Sequence, residues 1–269
     1  MSSKNNFIKE IYKLDRKLIG GTLRLALLQL KRKLFIYKIG KGLRNNGADV
    51  YYMKGDVSIL NELCDRYGTD KGGNDDTSNP YDWPSHNYSD FYQLIFGLRR
   101  KDIRLVVECG IGTNNPGLSS SMGMEGTPGA SLRVWKDYFQ EAEIIGCDID
   151  ETILFKEDRI NTFKCDQRSV ESIRCFLRAS GLTERSADII IDDGLHEFSA
   201  GKTFFENVIQ CLKIGGFYVI EDVSLGEMEL YRTYFSSKLE TLSVYFKYFR
   251  SNRNKSLSNN NLICIIRNC

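Results

Sequence analysis

Ile189-Ile190-Ile191-Asp192-Asp193-Gly194-Leu195-His196 decides how this chain is read. Three β-branched apolar residues run without a polar break into two carboxylates, a glycine and one of only two histidines. An uninterrupted apolar run is the pattern of a strand buried on both faces, as in a parallel sheet. Open α/β sheets bind ligands beyond the carboxyl ends of such strands, which is where the polar cluster falls. A second run, Phe217-Tyr218-Val219-Ile220, ends in Glu221-Asp222. If the two strands are neighbours, four carboxylates and an imidazole meet over one edge of the sheet.

Working outward, buried strands alternate with helical segments from Ile103 onward. Leu105–Glu108, Ile144–Asp148 and Thr162–Cys165 read as strands, and Ser131–Phe139, Ser169–Ser180, Ser199–Leu212 and Glu227–Leu239 as helices. Leu242–Phe246 and Leu262–Ile266 form a terminal antiparallel pair. Parallel strands need helical crossovers, so the fold class is α/β: a Rossmann-like, doubly wound, mostly parallel seven-stranded sheet with an antiparallel C-terminal strand. Residues 1–50 are a basic helical N-terminal extension, 51–100 a helical lid segment, and 101–269 the Rossmann-like domain. Within the lid, Asp56–Cys64 and Tyr88–Leu98 read as helices around a polar loop, a length of loop that commonly serves binding.

The strand ends suggest a nucleoside site. Glu108-Cys109-Gly110-Ile111-Gly112 supplies two glycines where the backbone must turn beneath a ligand. Asp148, closing the next strand, can accept two hydrogen bonds from vicinal ribose hydroxyls. Asp166-Gln167, closing the third, can address an adenine edge. A dinucleotide enzyme would open its glycine loop directly into a helix facing a pyrophosphate. Here Thr113–Gly129 intervenes. This favours a cofactor without phosphate, hence methyl transfer over the hydride transfer of a nicotinamide enzyme.

Composition narrows the class. The chain has 269 residues and a net charge of +2, unevenly spread: residues 1–44 hold twelve lysines and arginines against Glu10 and Asp15. The rest is acidic, which argues against a nucleic-acid substrate. Three readings of the basic segment stay open: contact with another copy in a homo-oligomer, packing on its own domain, or peripheral contact with an anionic membrane. The eight cysteines form no CxxC pair, as expected of reduced thiols in a cytoplasmic protein. No signal peptide or apolar run of membrane-spanning length is apparent.

Seven pieces in order carry a family resemblance: YGTDKGG (Tyr67–Gly73) with HNYSDFY (His86–Tyr92), ECGIG (Glu108–Gly112), GASLRVWKDYF (Gly129–Phe139), IIGCDID (Ile144–Asp150), CDQ (Cys165–Gln167), IDDGLHEF (Ile191–Phe198) and GGFYVIED (Gly215–Asp222). Over about residues 60–225 the chain resembles the class I S-adenosylmethionine-dependent methyltransferases, in the branch that methylates macrolide sugars and bacterial polysaccharides. The resemblance implies a cofactor pocket lined by Glu108, Gly110 and Gly112. It puts Ser131 at the methionine portion, Asp148 at the ribose and Asp166-Gln167 near the adenine. Lys71 and Tyr88, in the lid segment it would place over cofactor or acceptor, are candidate cofactor-binding residues, and Asp192 is assigned to the cofactor side. The long Thr113–Pro128 loop and residues 1–50 depart from the simplest pattern.

Ionising a sugar hydroxyl near neutral pH calls for help from a metal and a base. Asp193, Glu221 and Asp222 have the oxygen chemistry that suits magnesium or manganese, and the resembling family uses these motif positions as ligands. His196 is the candidate general base beside Asp193. The expected acceptor is a small-molecule sugar, nucleotide- or polymer-linked. A small phenol or catechol acceptor, a nicotinamide-dependent oxidoreductase and a catalytically silent scaffold are the alternatives.

Overall fold

The Ile189 strand occupies the middle of the sheet, and the rest of the fold follows from the burial of both its faces. The computed structural model describes residues 50–52, 58–72, 80, 81, 83, 85–249 and 261–269. The basic segment at residues 1–44, with the membrane and oligomer readings attached to it, lies outside them.

Nine strands form one sheet: β1 (Val50–Tyr52), β2 (Leu105–Cys109), β3 (Glu143–Asp148), β4 (Lys156–Glu157), β5 (Ile160–Lys164), β6 (Ala187–Asp192), β7 (Leu212–Ile220), β8 (Leu242–Phe249) and β9 (Asn261–Arg267). Their spatial order is β1-β8-β9-β7-β6-β2-β3-β5-β4. The seven strands expected from the sequence form its centre. β6 pairs in parallel with both β2 and β7, whereas β9 runs antiparallel between β7 and β8. The two additional strands are edges: β1 lies parallel to β8 and β4 antiparallel to β5. Each is too short for a period-two pattern to register in sequence.

Helices cover both faces. On one lie α1 (Ile59–Tyr67), α2 (Tyr88–Phe96) and α3 (Ala130–Tyr138); on the other lie α4 (Val170–Ser180), α5 (Phe198–Val208) and α6 (Leu225–Phe235). Alternate strand residues therefore enter different cores. Ile189 and Ile191 join Leu60, Tyr92 and Trp135, while Ile190 joins Phe176, Phe204 and Tyr231. That is why the run has no polar face.

Local chemistry sets the helix ends. Ser58, Ser169 and Ser224 cap α1, α4 and α6, each accepting a backbone N–H with its hydroxyl, and Gly68 and Gly181 close α1 and α4 in left-handed conformation. β7 begins earlier than the Gly215-Gly216 turn suggests, because Lys213–Gly216 bulge out between the pairs Ala187–Leu212 and Ile189–Phe217. All eight cysteines are free thiols, six of them buried. Among the described residues, no helix is long and apolar enough to cross a membrane.

Candidate functional site

The parallel pairing of β2, β3, β5, β6 and β7 opens their carboxyl ends on one side of the sheet. The loop after β2 is locked to its neighbours: Gly110 N donates to Cys147 O at 2.8 Å and Asp193 N to Cys109 O at 2.8 Å. Gly110 has φ +84°, and a Cβ there would stand 2.0 Å from the Asp193 carbonyl oxygen. Only glycine lets these two loops approach so closely. Above them is a cleft of about 450 Å³.

On one flank, Asp148 accepts from Ile111 N and from Asp150 N, both at 2.9 Å. Burial raises the pKa of this carboxyl, and the backbone donors oppose that rise. Asp150 in turn accepts from Thr113 Oγ1, tying the long loop to the end of β3. Gly112, Ser131, Asp166 and Gln167 line the same flank. Asp166 is committed to the Arg168 guanidinium at 2.9 Å, which lowers its pKa. Gln167 donates to Asp192 Oδ1 at 3.0 Å and accepts from Leu195 N at 2.6 Å. Its amide is a clamp on the loop after β6.

The other flank is an acidic centre with a lysine inside it. The Lys71 ammonium donates to Asp193 Oδ2 and Glu221 Oε2, and Glu108 Oε1 lies 3.5 Å away. Burial disfavours its charge, yet Asp193, Glu221 and Glu108 hold Lys71 well above the ordinary lysine range. The contacts with Asp193 and Glu221 favour its ammonium form.

Helix α2 positions the neighbouring carboxylates. Tyr88 and Tyr92, four residues apart on one helix face, donate to Asp222 Oδ1 at 2.6 Å and to Glu221 Oε1 respectively. Replacing Tyr92 by Phe leaves a buried carboxylate oxygen without its donor. The expected cost is about 1.5–3 kcal/mol of unfolding free energy, read by urea denaturation. His86 stacks on Tyr88 and stands 3.4 Å from both Asp70 and Asp222. Burial opposes its charge, but Asp222 and Asp70 raise its pKa to about 9.

Two residues of this centre hold left-handed backbone without being glycine: His196 at φ 58° and Asp222 at φ 53°. Such strain survives where the surroundings fix it, and it concentrates at working sites. Ligand-capable atoms of Asp193, His196 and Asp222 lie within 4.8 Å of one another.

Of the residues singled out from sequence, Lys71, Gly110, Gly112, Ser131, Asp148, Asp166, Gln167, Asp193, His196, Glu221 and Asp222 all face the one cleft. Glu108, Asp192 and Tyr88 do not; they lie a layer beneath it. Glu108 accepts from Trp135 Nε1 at 2.6 Å, and Asp192 points toward α5, its Oδ2 3.1 Å from where a Cβ on Gly201 would stand. The acidic grouping also differs from the expected one. His196 stands with Asp193 and Asp222, while Glu221 has one oxygen on Lys71 and the other on Tyr92. Tyr92 was not among the candidates, although its spacing from Tyr88 marks two phenols on one helix face.

No family model matches the chain. Over 168 residues it is 33% identical to the 8-demethyl-8-alpha-L-rhamnosyl tetracenomycin-C 2'-O-methyltransferase of Streptomyces olivaceus, a match covering 62% of this chain and 38% of that relative. It is also 33% identical, over 170 residues, to the demethylmacrocin O-methyltransferase of Streptomyces fradiae, covering 61% and 36%. The chain thus spans little more than a third of the length of these curated relatives. Among solved structures, the MycE methyltransferase of the mycinamycin biosynthetic pathway, in complex with Mg, SAH and mycinamycin VI, matches with a TM-score of 0.54. That match is 24% identical over 79% of this chain and 55% of that one, and the likeness is one of fold. Both curated relatives are O-methyltransferases, in line with the resemblance that the motifs carry.

Proposed function

We propose that this protein is an S-adenosylmethionine-dependent O-methyltransferase that acts on a sugar hydroxyl with the help of a divalent ion. One observation carries the reading. A single cleft is walled on one flank by Gly110, Ser131 and Asp148 and on the other by Asp193, His196 and Asp222. A donor and an acceptor held on opposite flanks would share one space, which is the geometry that group transfer needs.

The residues present fit both groups. Carboxylate oxygens suit magnesium or manganese, and an oxygen of Asp193 and one of Asp222 lie within 4.8 Å of each other, beside the His196 imidazole. Gly110 and Gly112, both at positive φ, keep side chains out of the turn over which the donor would lie. Asp193, Asp222 and Glu221 would hold the ion, while Gly110, Gly112, Ser131, Asp148 and the Asp166-Gln167 turn would hold the donor. When bound, the sulfonium supplies an activated methyl, and the ion lowers the pKa of an alcohol beside it.

The protein's own work is then positioning and proton removal. His196 projects from the loop after β6, and its Nδ1 is buried without a hydrogen-bond partner among the described residues. It stands beside Asp193 and Asp222, in reach of an acceptor hydroxyl held there, and is the group proposed to take the acceptor's proton. Asp148 anchors the ribose, and the Gln167 clamp on Leu195 keeps the loop bearing His196 in register.

The relatives direct the acceptor screen toward glycosides of natural products, with nucleotide- and polymer-linked sugars as further arms. Purified protein is assayed with labelled methyl donor, with and without EDTA. Transfer to a sugar hydroxyl, lost on chelation and restored by magnesium or manganese, is the expected result. Undiminished transfer in EDTA removes the metal from the reading, and tight NAD binding with no affinity for the methyl donor removes the reading itself.

A further inference from the structure

Lys71 sits where its charge needs explaining. Its side chain is 4% exposed, and its ammonium bridges Asp193 and Glu221, carboxylates that arrive from the ends of two different strands. It cannot serve as a base while those carboxylates hold its proton. Nor does it compensate the whole centre, because Asp222 is served instead by Tyr88 and His86. What the lysine does is neutralise two of the three carboxylates proposed to hold a divalent ion, from the space between them.

A divalent ion and an ammonium cannot both sit in contact with the same pair of oxygens, since like charges repel strongly where water is excluded. Beyond that pair, Glu108 and Asp70 also act on the ammonium, and Glu108 is the one within ion-pair distance among the described residues. Glu108 Oε1 lies 3.5 Å away, buried and without a hydrogen bond among the described residues. Asp193 N donates to Cys109 O, which ties the loop carrying Asp193 to the strand end carrying Glu108, while the lysine stem is flexible.

We infer that Lys71 is a resident counter-ion that a divalent ion displaces from Asp193 and Glu221, with Glu108 as the carboxylate that receives it. Lys71 is thus a positioning residue with two stations. It keeps the acidic centre folded before metal arrives, and afterwards it turns toward the cofactor flank. This inference rests on the metal-assisted reading above.

The test is calorimetric titration of Mn²⁺ into the full chain without methyl donor. Lys71→Met removes the competitor and is expected to bind Mn²⁺ about tenfold more tightly than the unmodified protein, an effect of the size that outer partners of metal ligands have. Glu108→Gln removes the receiving station and weakens binding, whereas in the Lys71→Met background the same change has no effect. Lys71→Gln, which still donates a hydrogen bond, carries the same expectation as Lys71→Met. If neither Lys71 variant folds alone, recovery of a cooperative melt in Mn²⁺ supports the inference, and no recovery overturns it. Equal or weaker Mn²⁺ binding by folded Lys71 variants also overturns it and leaves the metal-assisted reading standing. Absence of Mn²⁺ binding in every form, the unmodified protein included, overturns both.

Discussion

Replacing His196 by Ala is expected to lower the methyl-transfer rate by about a thousandfold, the range that loss of a general base produces. Donor affinity should stay within about twofold of the parent, because the flank formed by Gly110, Ser131 and Asp148 is untouched. The reasoning is positional. His196 holds a left-handed φ of 58° and keeps Nδ1 buried without a partner among the described residues. That placement costs about 1 kcal/mol of backbone strain. Strain of this kind concentrates at working sites, which points to a role in the reaction. Alanine at this position meets the same strain without the imidazole, so folding should be little altered. Single-turnover rates and donor calorimetry on one preparation separate the two effects. A drop smaller than tenfold would assign the proton to another group.

Gly110→Ala should do its damage through the fold. A Cβ there would lie 2.0 Å from Asp193 O and 2.5 Å from the same carbonyl carbon, both backbone atoms, at a φ of +84°. Left-handed strain and backbone overpacking together should cost about 3–5 kcal/mol. Gly123→Ala is the control. Its φ is +79°, but no atom lies within 4 Å of the added carbon, so only the conformational term of about 1 kcal/mol applies. Urea unfolding of the two variants side by side measures the difference. Equal losses would mean that the contact between the β2 and β6 loops is softer than the geometry requires. Because Asp193 hangs from the displaced carbonyl, any Gly110→Ala protein that does fold should lose donor and Mn²⁺ affinity together.

Much of this was legible in sequence because it depends on short stretches. The apolar run at Ile189–Ile191 reads as a doubly buried strand whatever surrounds it. Once strands are parallel, their terminal carboxylates must gather on one side. What escaped is of two kinds. Some of it is parity: Asp192 shares its face with Ile190, and Glu108 shares its face with Val106, so both turn into a helix-covered core beneath the cleft. Counting by twos from the strand centre places both side chains on those faces. The rest is long-range. Lys71 meets partners 122 and 150 residues away, and Tyr92 meets one 129 residues away. No local pattern encodes a contact of that span, so Lys71 reads as a lid residue until the topology places it among acids.

The insertion of β9 between β7 and β8 has a consequence for how the molecule is made. Residues 261–267 enter a gap between two strands synthesised earlier, and Asn261 then holds Val223 O through its side chain while its own carbonyl accepts from Tyr88. Until that segment leaves the ribosome, β7 is an unpaired edge, open to pairing with any other chain. The phenol that steadies Asp222 also lacks one of its anchors. A nascent polypeptide halted before residue 261 should thus combine a finished donor flank with an unfinished acidic one, making the centre among the last parts of the molecule to mature during vectorial synthesis.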